Sequence, residues 1–163
     1  MTTQALNLFI VEDNHFPTKS LSHYLRRKFG KKLKISTYFN DESALREVNK
    51  DTNIVILDYN KKNGNGIEVL ESIKKINPAT EVIMLSSNEE IEIAIDAYCK
   101  GAIDYVINDK TAWQKIGAIV AKIMMYPVHV LVKEFGVSKF VAIFLINFIL
   151  VGIVSFVVLR FII

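Results

Sequence analysis

Three carboxylates occupy chemically suggestive places in this 163-residue chain. Glu12 and Asp13 follow the apolar run Leu6–Val11, and Asp58 ends the run Ile54-Val55-Ile56-Leu57. An acid that directly follows a buried strand sits at the carboxyl edge of a sheet, where open α/β folds hold ligands. If these strands are neighbours the three acids converge, and each raises the pKa of the others. A hard dication relieves that repulsion. Oxygen-only ligands with room for water suit Mg²⁺, here Glu12, Asp13 and Asp58 with the carbonyl of Asn60 as a further oxygen. A carboxylate beside such an ion is a nucleophile toward phosphorus and forms an aspartyl phosphate. Asp58, alone on its strand, takes that role, while Glu12 and Asp13 hold metal.

The elements that must position these groups are legible as alternating patterns. Strands are predicted at 6–11, 34–39, 54–58, 81–85 and 104–107. Between them lie helices from Pro17 to Gly30, over 41–48, from Ile67 to the break at Asn77-Pro78, and from about Glu89 to Lys100. A last helix from Thr111 carries Trp113, Ile116, Ile119, Val120 and Ile123 on its inward side. Five strand–helix alternations imply an α/β protein, a flavodoxin-like, doubly wound, five-stranded parallel sheet. The order 2-1-3-4-5 follows if the second strand, the most polar, lies at an edge; strands one and three then flank the switch point.

Composition divides the chain. The net charge is only +3, so no global field points to nucleic acid, and none is expected as a partner. Up to Tyr126 there are 17 Lys and Arg and 16 Asp and Glu; the remaining 37 residues hold only Lys133, Lys139, Arg160 and Glu134. Phe140–Leu159 contains no charge at all, and twenty helical residues span about 30 Å, the thickness of a hydrocarbon core. The expected domains are therefore a soluble domain at 1–126, a juxtamembrane linker at 127–139 that lies along the membrane surface, and a C-terminal transmembrane helix at 140–163. Lys133 and Lys139 favour a cytoplasmic soluble domain at the cell membrane, and the absence of a leader-like N-terminus agrees. Cys99, the single cysteine, permits no intramolecular disulfide and is expected to pack beneath its helix. The basic run Arg26–Lys34 reads as a solvated helix end.

Phe9-Ile10-Val11-Glu12-Asp13-Asn14, Ile56-Leu57-Asp58 with Gly66 eight residues on, Val82–Ser87, and Gly101-Ala102-Ile103-Asp104-Tyr105-Val106 together resemble the receiver domain of two-component response regulators. The resemblance covers about residues 5–125. It implies that Asp58 accepts phosphate from a histidine kinase or phosphotransfer protein and that Glu12 and Asp13 bind Mg²⁺. It also implies that Ser86 is the hydroxyl that swings to the phosphoryl group and that Tyr105 is the aromatic that changes rotamer with it. Two positions depart from the family's pattern. Asn108 stands where receivers carry the lysine that pairs with the acceptor, and Lys62 stands where a proline is common.

The resulting expectation is a membrane-anchored, single-domain response regulator, not an enzyme, that signals to a membrane or cytoplasmic protein through its fourth helix, fifth strand and fifth helix. Asn108 motivates an alternative, a degenerate receiver acting as a phosphorylation-independent scaffold. A tethered phosphohydrolase is a third reading, disfavoured because Asn60 replaces the second acid it needs.

Overall fold

The computed structural model describes residues 5–61, 64–125 and 139–162. Five strands form one parallel sheet: β1 (Leu6–Val11), β2 (Leu33–Tyr38), β3 (Thr52–Asp58), β4 (Glu81–Ser86) and β5 (Ala102–Ile107). Their order is β2-β1-β3-β4-β5, as the strand polarities suggested. Every residue of β3 is buried, which is why its sequence is a continuous apolar run and not an alternating one.

The helices α1 (His15–Phe29), α2 (Asp41–Glu47), α3 (Gly66–Ile76), α4 (Ile91–Cys99) and α5 (Ala112–Met125) connect or follow the strands. Side chains alternate across the sheet. Phe9, Val11, Val55, Leu57, Val82 and Met84 join α2, α3 and α4 in one core through Ala44, Leu70, Ile73 and Ala97. Leu8, Ile10, Ile54, Ile56 and Ile83 point to the other side, where α1 and α5 bury Leu21, Leu25, Ile116 and Val120.

Helix α1 starts at His15, two residues before Pro17, because Asn14 caps it. The Asn14 side chain accepts from the Phe16 N–H at 3.2 Å. The helix ends at Gly30, whose φ of 57° is a conformation glycine adopts without strain. Two expectations need correction: Trp113 is 37% exposed instead of facing inward, and Cys99 is exposed. Helix α4 buries only Ala97, while Ile91, Ile95 and Tyr98 stand 67%, 55% and 49% exposed. A helical apolar stripe identifies a face but not what covers it.

The chain divides into two compact units, Met1–Ala121 and Lys122–Ile163. In the second, α6 (Lys139–Ile162) is a 24-residue helix. Its one amide, Asn147, donates to the Ile143 carbonyl at 2.9 Å and so meets its need within its own helix. Among the described residues no helix is long and apolar enough to cross a membrane, so they do not carry the span expected at 140–163. The expected linker lies almost wholly within 126–138, outside the described residues, as does Lys62.

Candidate functional site

Sheet register brings the acids together. Leu8 pairs with Ile54, Ile10 with Ile56 and Val11 with Leu57, so Glu12 and Asp58 are level on neighbouring strands and share one face. Backbone bonds extend each ladder just past the strand ends. The Glu12 N–H donates to the Tyr38 carbonyl at 3.0 Å, Tyr59 to Leu85 at 2.8 Å, and Asn108 to Ser86 at 2.8 Å. The site residues therefore inherit the rigidity of the sheet although they stand at its rim.

Carboxylate oxygens of Glu12, Asp13 and Asp58 lie within 4.8 Å of one another, close enough to ligate a single ion. Asp58 is only 9% exposed. Oδ2 of Asp13 is buried without a hydrogen-bond partner, an arrangement that costs free energy unless something else satisfies it. Burial, followed by the charges of Asp58 and Asp13, pushes Glu12 up to about 7, against the pull of the Asn14 N–H that donates to Glu12 Oε1 at 3.1 Å. An orphaned carboxylate oxygen and a carboxyl whose ionisation its neighbours oppose are both relieved by a cation held among the three acids. The donor set fits Mg²⁺. Asn60 lies two residues beyond Asp58 in a short antiparallel ladder, Asn60–Lys61 with Gly64–Asn65, where the sequence suggested only an open loop. The side chain of Asn60 is outside the described residues.

Gly66 closes this ladder against β3. A Cβ there would stand 2.8 Å from the Tyr59 Cα, 3.0 Å from the Asp58 carbonyl oxygen and 3.1 Å from Met84 Cε. Only glycine lets α3 begin so close to β3.

On the far side of Asp58, Ser86 and Tyr105 face the β4–α4 loop. Ser86 is fully buried, and its Oγ accepts from the Asn88 N–H at 2.9 Å, the capping role open to any serine after a strand. The Tyr105 hydroxyl donates to the Asn88 carbonyl at 2.9 Å. Burial pushes the Tyr105 phenol up, partly countered by the Ser86 hydroxyl beside it. One loop residue, Asn88, thus joins the two side chains, a link with no signature in the sequence.

Asn108, Asp58, Glu12, Thr18 and Trp113 line a cleft of about 10 Å³, room for about one water. Two neighbouring charges, Asp109 and Lys115, are committed to each other. Asp109 accepts from the N–H and hydroxyl of Thr111 and pairs with Lys115 at 2.9 Å, contacts that hold its carboxyl down at about 2. Lys115 is thereby drawn onto Asp109 at the start of α5. His15, near the acids in sequence, stacks on Phe39 with ring centroids 3.8 Å apart.

The family model for the response regulator receiver domain matches residues 8–120. The chain belongs to that family. Among curated proteins, the receiver is 28% identical over 108 residues to the transcriptional regulatory protein ZraR of Escherichia coli, covering 66% of this chain and 24% of ZraR. It is 31% identical over 104 residues to the transcriptional regulatory protein MalR of Bacillus subtilis, covering 63% of this chain and 43% of MalR. The chain thus spans less than half the length of either relative. Among solved structures, the BeF3-activated DrrB receiver domain superposes with a TM-score of 0.64 at 22% identity, covering 75% of this chain and 99% of that one. That likeness concerns the fold of the receiver, the five-stranded sheet described above.

Proposed function

We propose that this receiver accepts a phosphoryl group on Asp58 from a histidine kinase or phosphotransfer protein and signals by protein contact. The observation that carries the reading is the convergence of Glu12, Asp13 and Asp58 within 4.8 Å around the unsatisfied Asp13 Oδ2. Glu12, Asp13 and Asp58, with the Asn60 carbonyl, would hold Mg²⁺, which supplies charge neutralisation for the transferring group. An Asp58 carboxylate oxygen attacks phosphorus, the bond from phosphorus to the donor imidazole nitrogen breaks, and that nitrogen keeps the electron pair. Ser86 then turns its hydroxyl from the Asn88 amide to a phosphoryl oxygen, and Tyr105, linked to the same loop, follows. The surface that reads this change is the one formed by α4, β5 and α5. Local charge biases a two-state element, the usual logic of such switches.

Asn108 favours a second reading, a scaffold that binds Mg²⁺ and partners without phosphotransfer. An amide offers a hydrogen bond but no charge opposite Asp58, so the developing phosphoryl charge is less well stabilised.

The proposal also places the receiver on the cytoplasmic side of the cell membrane, anchored by residues 140–163. Its support is the uncharged run Phe140–Leu159 and the 24-residue backbone helix Lys139–Ile162, about 36 Å long at 1.5 Å per residue. Domain boundaries at 1–126, 127–139 and 140–163 belong to the same reading.

Two measurements test it. The full chain in detergent micelles is incubated with a small acyl phosphate and Mg²⁺, and one phosphoryl mass is expected on the intact protein and none on Asp58→Asn. Labelling that survives Asp58→Asn overturns the acceptor assignment, and Mg²⁺ binding without labelling selects the scaffold. For the anchor, flotation with lipid vesicles that resists alkaline extraction is expected, and release by alkali overturns it.

A further inference from the structure

Two exposed faces of the receiver are complementary in charge and apolar character. On α1 an outward stripe of Phe16, Lys19, His23, Arg27 and Lys28 runs beside Trp113 and borders an open groove of about 890 Å³. Phe16 is 80% exposed. No acid occurs anywhere from residue 15 to residue 40, while Lys19, Arg26, Arg27, Lys28, Lys31, Lys32 and Lys34 all do. Among the described residues no carboxylate pairs with Lys19, Arg27 or Lys28.

Helix α4 presents the counterpart. Ile91, Ile95 and Tyr98, spaced i, i+4, i+7, form an exposed apolar stripe, and exposed Glu89, Glu90, Glu92 and Asp96 flank it. At 1.5 Å per residue the α1 stripe is about 18 Å long and the α4 stripe about 10 Å. The two faces cannot meet within one receiver, because α1 packs on one side of the sheet and α4 on the other.

We propose that the α4 face of one copy seats on the α1 face of a second copy. Charge decides the symmetry. A two-fold pairing of α4 with α4 opposes two sets of carboxylates, and α1 with α1 opposes two sets of cations, so both are disfavoured. Only the head-to-tail pairing sets acid against base while burying Ile91 and Ile95 against Phe16 and Trp113. Such a contact leaves one free face at each end, so copies add successively into a ring or an open row. The inference goes beyond the phosphoryl-acceptor reading and does not depend on it.

The test is a charge swap read by sedimentation velocity on the full chain in uncharged micelles. One variant reverses α1 (Lys19→Glu with Arg27→Glu), and the other reverses α4 (Glu89→Lys with Glu92→Lys). Each alone should associate at least about tenfold more weakly than the unmodified chain, because both its faces now carry one sign. An equimolar mixture of the two should recover most of the lost affinity, since the reversed faces match each other. Recovery in the mixture is a result that a general loss of folding cannot produce. The neutral variants Arg27→Gln and Glu92→Gln are a milder second set, expected to weaken association by about threefold each and to flatten its salt dependence. The proposal is overturned if the unmodified chain is monomeric, if the reversals leave association unchanged, as tail-driven contact would, or if the mixture stays as weak as its components. Capture of the α1 face by anionic vesicles without self-association overturns it equally.

Discussion

The N–H of Asn108 donates to the carbonyl of Ser86 across 2.8 Å, so one backbone bond fixes the main chain of the two residues that flank Asp58. The position is therefore built and held; what differs from the family's pattern is the side chain it presents. Replacing Asn108 with lysine restores a cation at the cleft without disturbing that bond. Asn108→Lys should raise the rate of phosphorylation by a small acyl phosphate by about tenfold or more. Quench-flow with intact-mass detection measures it, and an unchanged rate would show that charge at this position is not limiting.

The acidic cluster predicts a pH dependence with a definite sign. Glu12 is raised to about 7 from an ordinary 4.5, so the folded state holds its proton more tightly than the unfolded state. Its stabilising contribution is complete below about 4.5 and is lost as pH rises through about 7. Without divalent ions, the thermal midpoint should fall across that window, and saturating Mg²⁺ should reverse the fall at neutral pH. Mg²⁺ affinity, followed by titration calorimetry, should weaken as pH drops below 7, because the proton and the ion compete for the same carboxylate.

Asp13→Asn separates stability from binding. The amide can donate to neighbouring carboxylates and removes one negative charge from the cluster, so the metal-free receiver should melt higher. Mg²⁺ affinity should drop by about tenfold or more. A variant that melts lower and binds Mg²⁺ normally would contradict the assignment of Asp13 as a ligand.

Gly66→Ala places a methyl group against the backbone of Tyr59 and Asp58, neither of which can move without displacing β3. A loss of about 1–3 kcal/mol is expected from denaturant unfolding. Mg²⁺ binding should weaken as well, since the strain falls on the strand that carries Asp58.

Tyr105→Phe removes the hydroxyl that holds the Asn88 carbonyl. A cost of about 1 kcal/mol is expected, with faster amide exchange confined to the β4–α4 loop. Acyl phosphate formation at Asp58 should be nearly unchanged.

Much of this arrangement was readable from residues alone. Ile54–Leu57 reads as a strand buried on both faces, and the comparative polarity of 34–39 places that strand at an edge; together they locate Asp58 beside Glu12. Other features were not readable. The outward stripe of α4 has the same spacing as an inward one, and Trp113 shares the helical spacing of the buried Ile116 and Val120 yet stands half-exposed. Pro17 does lie in the first turn of α1, but the exact start at His15 depends on a capping bond from Asn14. Asn88 carries no motif because both its links, to Ser86 and Tyr105, use its main chain.

Trp113 stands in the wall of two spaces at once, the cleft at Asp58 and the groove along α1. It is also the sole tryptophan of the chain. The receiver therefore carries a native optical reporter, and its emission should answer separately to an ion entering the cleft and to a surface closing over the groove. Ligand titration and dilution can be followed on one unlabelled sample, with no dye added to the protein.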